Sequence, residues 1–116
     1  MFTIRDALTL SLLETAVVVA GSQNLENTIR WVHVIDIPDA HFQWQQSGIL
    51  LLTTGFGLQD EPVAQATLIP KLVNEGLAGI VLSTGYYLDT VPEPLRQAAD
   101  KHQFPLITLP SNVLFI

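Results

Sequence analysis

Two short stretches present hydroxyl groups in the same arrangement: Thr53-Thr54-Gly55 and Ser83-Thr84-Gly85. Each closes an apolar run, GILLL at 48–52 and GIVL at 79–82. Hydroxyls and backbone N–H groups in a glycine-bent loop can hold a polar ligand by hydrogen bonds. The same groups can instead cap the loop itself, with the glycine supplying a positive φ. Tyr86 and Tyr87 follow the second stretch. An aromatic ring with a polar tip suits a flat heterocycle, a subunit contact or half-buried packing alike. Asp36 and Asp39 flank Ile37-Pro38 and can accept hydrogen bonds from a ligand, or simply build a turn around the proline. His33 can bind a ligand or sense pH, or it can pack beside Trp31. The candidate ligand-binding residues are therefore Thr53, Thr54, Gly55, Ser83, Thr84, Gly85, Tyr86 and Asp36.

Other chemistries find little to work with. The chain has no cysteine, which removes thiolate metal sites, disulfides and thiol nucleophiles. Neither a Gly-x-Ser-x-Gly elbow nor a phosphate-cradling Gly-x-x-x-x-Gly-Lys loop is present. His33, Asp36, Asp39 and His41 are close in sequence, but their spacing fits no metal-ligand pattern. We expect no catalytic residue, no metal and no cofactor.

The candidate residues need strands and helices to position them. Thr3 with Asp6 three positions on forms a capping box for a short helix over 4–9. The β-branched run 16–20 reads as a strand stopped by Gly21, and 22–27 as a polar loop. Residues 29–36 read as a second strand, with Arg30, Val32, Val34 and Asp36 on one face and Trp31, His33 and Ile35 on the other. Residues 40–46 form an irregular or one-turn helical connection. The third strand, 49–53, is apolar on both faces, as in a covered sheet.

Asp60-Glu61-Pro62 opens a helix that Gly76 ends, with Val63, Ala66, Ile69 and Val73 as its apolar stripe. Pro70 lies inside it and should kink or break it at a cost of about 3 kcal/mol. A strand over 80–83 follows, then a helix opened by Pro94 with Leu95, Ala98 and Ala99 inward, then a strand over 106–109. Strand–helix–strand order in the second half implies parallel pairing through right-handed crossovers. The two early strands can pair with each other as a hairpin. The expected fold is α/β, a single domain with a mixed, mostly parallel sheet and helices on both faces. Both hydroxyl-bearing bends then fall at the carboxyl edge of the sheet, where α/β proteins hold small molecules.

Composition narrows the partners. Five basic residues stand against eleven acidic ones, for a net charge of -6. Arg5, Arg30, Lys71, Arg96 and Lys101 are scattered singly, so the chain lacks the basic patch that phosphate neutralisation requires. Hydrophobic residues make up 48% and charged residues 14% of the 116, so we expect another copy or another domain to cover part of the apolar surface. No apolar run reaches about 18 residues, the length of a membrane span. The start MFTIRDAL lacks an apolar signal core. A cytoplasmic location is the expectation.

The chain resembles the N-terminal domain of PucR-type transcriptional regulators, the purine catabolism regulatory protein-like domain. The matching pieces are TIRDAL with Leu12-Leu13, RWVHVIDIPD, GILLLTTGFGLQD, EGLAGIVLSTGYY, VPEPLRQAAD and FPLITLP, in that order. The chain departs from the family pattern at Gln103, where a residue that ends helices easily, often glycine, is usual. It departs again at Pro70, within a helix usually uninterrupted, and the ending 111–116 matches less well. A weaker similarity, of fold only, is to the uridine-nucleotide-binding first domain of cell-wall Mur ligases.

The main resemblance implies that residues 1–116 are an N-terminal regulatory and sensing domain. Its partners would be a small-molecule effector, a purine-derived one among the candidates, and a second copy in a homodimer. DNA would be reached only through a separate C-terminal helix-turn-helix absent from this chain. The alternative is a dimerisation or interdomain interaction module without a ligand of its own.

Overall fold

The computed structural model describes residues 1–10, 13–34, 47–55 and 58–111. The capping box forms as the sequence suggests. The Asp6 amide donates to Thr3 Oγ1 at 3.2 Å and the Thr3 amide to the Asp6 carboxylate at 3.0 Å, starting α1 (Ile4–Ala7). β1 (Val17–Ala20) stops at Gly21, whose φ of 72° turns the chain into a short 3-10 helix at Ser22–Asn24. Then come β2 (Trp31–Val34), β3 (Ile49–Thr53), α2 (Pro62–Asn74), β4 (Gly79–Thr84), α3 (Glu93–His102) and β5 (Leu106–Pro110).

The five strands form one sheet in the order β1-β5-β4-β3-β2. β2, β3, β4 and β5 run parallel, and β1 joins β5 antiparallel. The early strands therefore do not pair as a hairpin, because β1 and β2 occupy opposite edges of the sheet. The reason lies in β5. Its residues Leu106 and Ile107 are buried, and a strand inside the sheet needs a neighbour on each side. β1 supplies the outer one, setting Val18 opposite Ile107.

Helices cover both faces of the sheet. On one face, Ile49 and Leu51 of β3, Ile80 and Leu82 of β4 and Leu106 of β5 pack against Leu68, Ile69 and Leu72 of α2 and Leu95 and Ala99 of α3. On the other, Leu50, Val81, Ile107 and Leu109 meet Ile4 and Ala7 of α1. Alternation along each strand divides the residues between these two cores.

α2 buries a different stripe from the expected one. Gln65, Leu68, Ile69 and Leu72 point inward, whereas Val63 is 76% exposed and Ala66 and Val73 face solvent. Both stripes have helical spacing, and the one carrying two leucines removes more apolar area from water. Gln65 is tolerated because its side-chain nitrogen donates to the Leu58 carbonyl at 2.6 Å. Pro70 does not break α2, which continues through it to Asn74. The carbonyl it leaves unpaired belongs to Ala66, a solvent-exposed residue that water can reach. At the end of α3, Gln103 takes the left-handed conformation at φ 54°, where glycine is favoured.

Candidate functional site

The parallel strands β3 and β4 are neighbours, with Thr53 opposite Leu82, so the two hydroxyl-bearing bends emerge side by side at the C-terminal edge. Thr84 in turn lies opposite Pro110 of β5. Seven of the eight candidate residues thus sit on one rim. The eighth, Asp36, lies outside the described residues, as do Asp39 and His41.

Strand alternation sorts the hydroxyls into two kinds. Thr53 follows Ile49 and Leu51 on the face covered by α2 and α3. It is fully buried, and its Oγ1 accepts the Gly55 amide at 3.1 Å. Thr84 shares that face with Ile80 and Leu82, and its hydroxyl donates to the Leu109 carbonyl at 3.4 Å. Thr53 thus does the loop capping that the sequence allows, whereas Thr84 satisfies a carbonyl of β5 instead.

Thr54 and Ser83 lie on the opposite face, in line with Leu52 and Val81. The β3–β4 register, carried one residue past Thr53, brings Thr54 beside Ser83. Ser83 is 1% exposed. Its hydroxyl and that of Thr54 are both buried, with no hydrogen-bond partner among the described residues. A buried hydroxyl without a partner costs about 1–3 kcal/mol. Each of these two hydroxyls keeps an unused capacity to donate and accept a hydrogen bond.

The glycines shape the rim. Gly55 has φ 83°, and a Cβ there would fall 2.7 Å from Leu88 Cδ1 and 3.0 Å from Leu82 Cδ1. The loop after β3 can therefore close down onto the core only with glycine at this position. Gly85 has φ 99°, and its amide donates to the Leu88 carbonyl at 2.8 Å, fixing the bend after β4. Tyr86 is half exposed, and its hydroxyl donates to the Ser111 carbonyl at 3.1 Å. Its polar tip is thus tied to the end of β5 while the ring stays at the rim. Sequence reading does not find Ser111, because only the β4–β5 pairing brings it under Tyr86.

His33 of β2 lies opposite Leu51 and is partly buried. Trp31, two residues earlier on the same face, is opposite Ile49. The rim thus offers hydroxyls, amides and the phenols of Tyr86 and Tyr87 from its described residues. That equipment suits recognition by hydrogen bonding rather than bond-breaking chemistry.

A family model for the Purine catabolism regulatory protein-like family matches residues 6–116, including the ending 111–116. The chain is 31% identical over 110 residues to the "Purine catabolism regulatory protein" of Bacillus subtilis (strain 168), covering 95% of this chain and 20% of that protein. It is 29% identical over 107 residues to the "Transcriptional activator PmfR" of Paenarthrobacter nicotinovorans, covering 92% of this chain and 22% of that protein. The chain spans about a fifth of the length of these curated relatives.

Proposed function

The chain belongs to the purine catabolism regulatory protein-like family, one of regulators rather than enzymes, and on that footing we propose that residues 1–116 are the N-terminal sensing domain of a bacterial transcriptional regulator. It binds a small polar metabolite at the C-terminal edge of its sheet. The observation that supports this reading is the buried, unpartnered hydroxyl pair of Thr54 and Ser83. Each hydroxyl can both donate and accept, so a ligand with a mixed donor and acceptor edge would satisfy both. A net charge of -6 favours an uncharged ligand over an anionic one. A purine-derived metabolite has such an edge, and one relative is named for purine catabolism.

Binding would favour one domain or dimer arrangement and so alter the DNA affinity of a separate C-terminal helix-turn-helix segment. A cytoplasmic location goes with that role. No helix among the described residues is long and apolar enough to cross a membrane. Isothermal titration of the chain with purine-derived and amino-acid-derived metabolites tests the proposal. The expected result is binding by at least one, lost in Ser83→Ala and Thr54→Val. Absence of binding by every metabolite tried, or equal binding by both variants, would sink it.

A second reading, the ligand-free interaction module, has its own support. β2 is an edge strand, and Trp31, Val32 and Val34 are 49%, 59% and 47% exposed. An exposed apolar edge invites pairing with another chain. Light scattering tests the self-association part of this reading: a strict monomer at high concentration counts heavily against pairing through β2.

A further inference from the structure

The opposite edge of the sheet, where β2, β3 and β4 begin, holds a groove of about 280 Å³. Asn27, Thr28, Arg30, Ser47, Gly48 and Gly76 are among its lining residues. We infer that this groove is a binding site for a small oxyanion, carboxylate or phosphate, held by Arg30. The site is independent of the rim at the C-terminal edge.

Arg30 is held firmly at its backbone, and its guanidinium has no hydrogen bond or ion pair among the described residues. Its amide donates to the Gly48 carbonyl at 2.8 Å. A Cβ on Gly48 would meet Arg30 Cγ at 3.1 Å and Cβ and Cδ at 3.3 Å, so the aliphatic stem lies flat across the Gly48 backbone. The Gly48 amide in turn donates to the Gly76 carbonyl at 2.9 Å, tying the start of β3 to the end of α2. The floor and one wall of the groove are thus hydrogen-bonded backbone.

The charges around the groove leave Arg30 as its unpaired cation. Glu26 precedes Asn27 in the chain and pairs with Arg5. Glu75 precedes Gly76 and pairs with Lys71 at 3.1 Å. Arg30 makes no ion pair among the described residues. The helix end does not consume it either. The Lys71, Leu72 and Val73 carbonyls at the end of α2 accept the amides of Glu75, Leu77 and Gly76. Thr28 and Ser47 also line the groove; the Thr28 hydroxyl donates to Met1 Sδ at 3.8 Å.

A guanidinium fork binds carboxylate and phosphate oxygens in pairs, and both ligand types share that chemistry. The volume lies near the lower limit of small-molecule sites, about 300 Å³, which favours a ligand of few heavy atoms. In a chain of net charge -6, binding must come from this local arrangement and not from the overall field.

Amide chemical shifts of the 116-residue chain test the inference, with sodium phosphate and sodium succinate titrated separately at ionic strength held constant with sodium chloride. Saturable shifts of the Gly48 and Gly76 amides are expected with at least one anion. Response to phosphate alone assigns phosphate compounds, and response to succinate alone assigns carboxylates. Arg30→Gln should weaken binding about tenfold or more, the loss of one charged hydrogen-bonding group. Arg30→Lys, which keeps the charge and a stem over Gly48 but not the fork, should weaken it less and guards against a folding defect in the first variant. Ser83→Ala, at the far edge, should titrate like the parent chain. No saturable shift with either anion overturns the inference, as does unchanged affinity in both Arg30 variants.

Discussion

Thr54, just past the end of β3, and Ser83, near the end of the neighbouring parallel strand β4, each carry a buried hydroxyl that no described residue satisfies. Stability and function are set against each other at this pair. Without ligand, Ser83→Ala removes a group that has been stripped of water for no return. We predict that the variant is at least as stable as the parent, with a gain of up to about 1 kcal/mol, or about 4 °C in Tm. Thermal melts of both proteins without ligand check this, and a large loss of stability would mean the hydroxyl has a structural partner.

Two glycines with positive φ should respond differently to alanine. A Cβ on Gly21 would lie 2.0 Å from the Phe104 carbonyl oxygen, a backbone atom that cannot swing aside. Gly21→Ala should cost more than about 3 kcal/mol, combining left-handed strain with overpacking. At Gly48 the nearest atoms belong to the Arg30 stem, which can move. Gly48→Ala should cost only about 1–2 kcal/mol, mostly from its φ of 78°. Urea denaturation midpoints of the two variants give the comparison.

Gln103 holds a left-handed conformation without being glycine. Its amide and that of Phe104 still close the end of α3 on the Asp100 and Ala99 carbonyls. Gln103→Gly keeps both bonds and removes the steric penalty, so it should stabilise the chain by about 1 kcal/mol. Denaturant unfolding checks the sign. A loss would show that the Gln103 side chain contributes more than its backbone strain costs.

On α3, the hydrogen bond from Arg96 holds the Glu93 carboxyl below its ordinary range against an opposing desolvation, with the Arg96 charge and a bond from Gln97 adding to the lowering. A lowered folded-state pKa gives stability that is present above the unfolded-state value and lost as pH falls through the folded-state value. Acid should therefore loosen the first turn of α3 progressively, beginning as pH falls into the ordinary carboxylate range and ending below the lower folded-state value. Both groups are exposed, so added salt should shrink the effect. A carboxyl-carbon NMR titration should show the Glu93 midpoint rising in Arg96→Gln. An unmoved midpoint would mean that the ion pair does not form in solution.

Pro70 offers a cleaner backbone test. α2 runs through it, and the Ala66 carbonyl loses its helical partner. Pro70→Ala restores that bond and should raise stability by as much as about 3 kcal/mol, if packing of the half-buried position is kept. The amide at position 70 in the variant should then show slow hydrogen exchange.

Much of the architecture was legible because its signals are local. The capping box at Thr3 and Asp6, the apolar run of β3, the prolines that open α2 and α3 and the strand–helix–strand order all act within a few residues along the chain. The class of fold and the shared edge of the two hydroxyl bends follow from them. Two features did not follow. The buried stripe of α2 differs from the expected one because Val63, Ala66, Ile69 and Val73 fit one face of a helix as well as Gln65, Leu68, Ile69 and Leu72 do, and only the facing sheet and α3 select between them. The partner of β1 was misread because nothing near residues 16–20 indicates that a strand at 106–110 will need an outer neighbour.

The site divides in the same way. The order of residues determined that threonine, serine and glycine would stand where β3 and β4 end. Tertiary structure decided which hydroxyls are occupied, because strand alternation sends Thr53 to one face and Thr54 and Ser83 to the other, and the packing on each face sets their partners. It also assembled the groove at Arg30 from three separate segments of the chain. A hydroxyl's chemistry belongs to its residue type, but its freedom to bind depends on what the fold places within hydrogen-bonding distance, and that is not written in its neighbours along the chain.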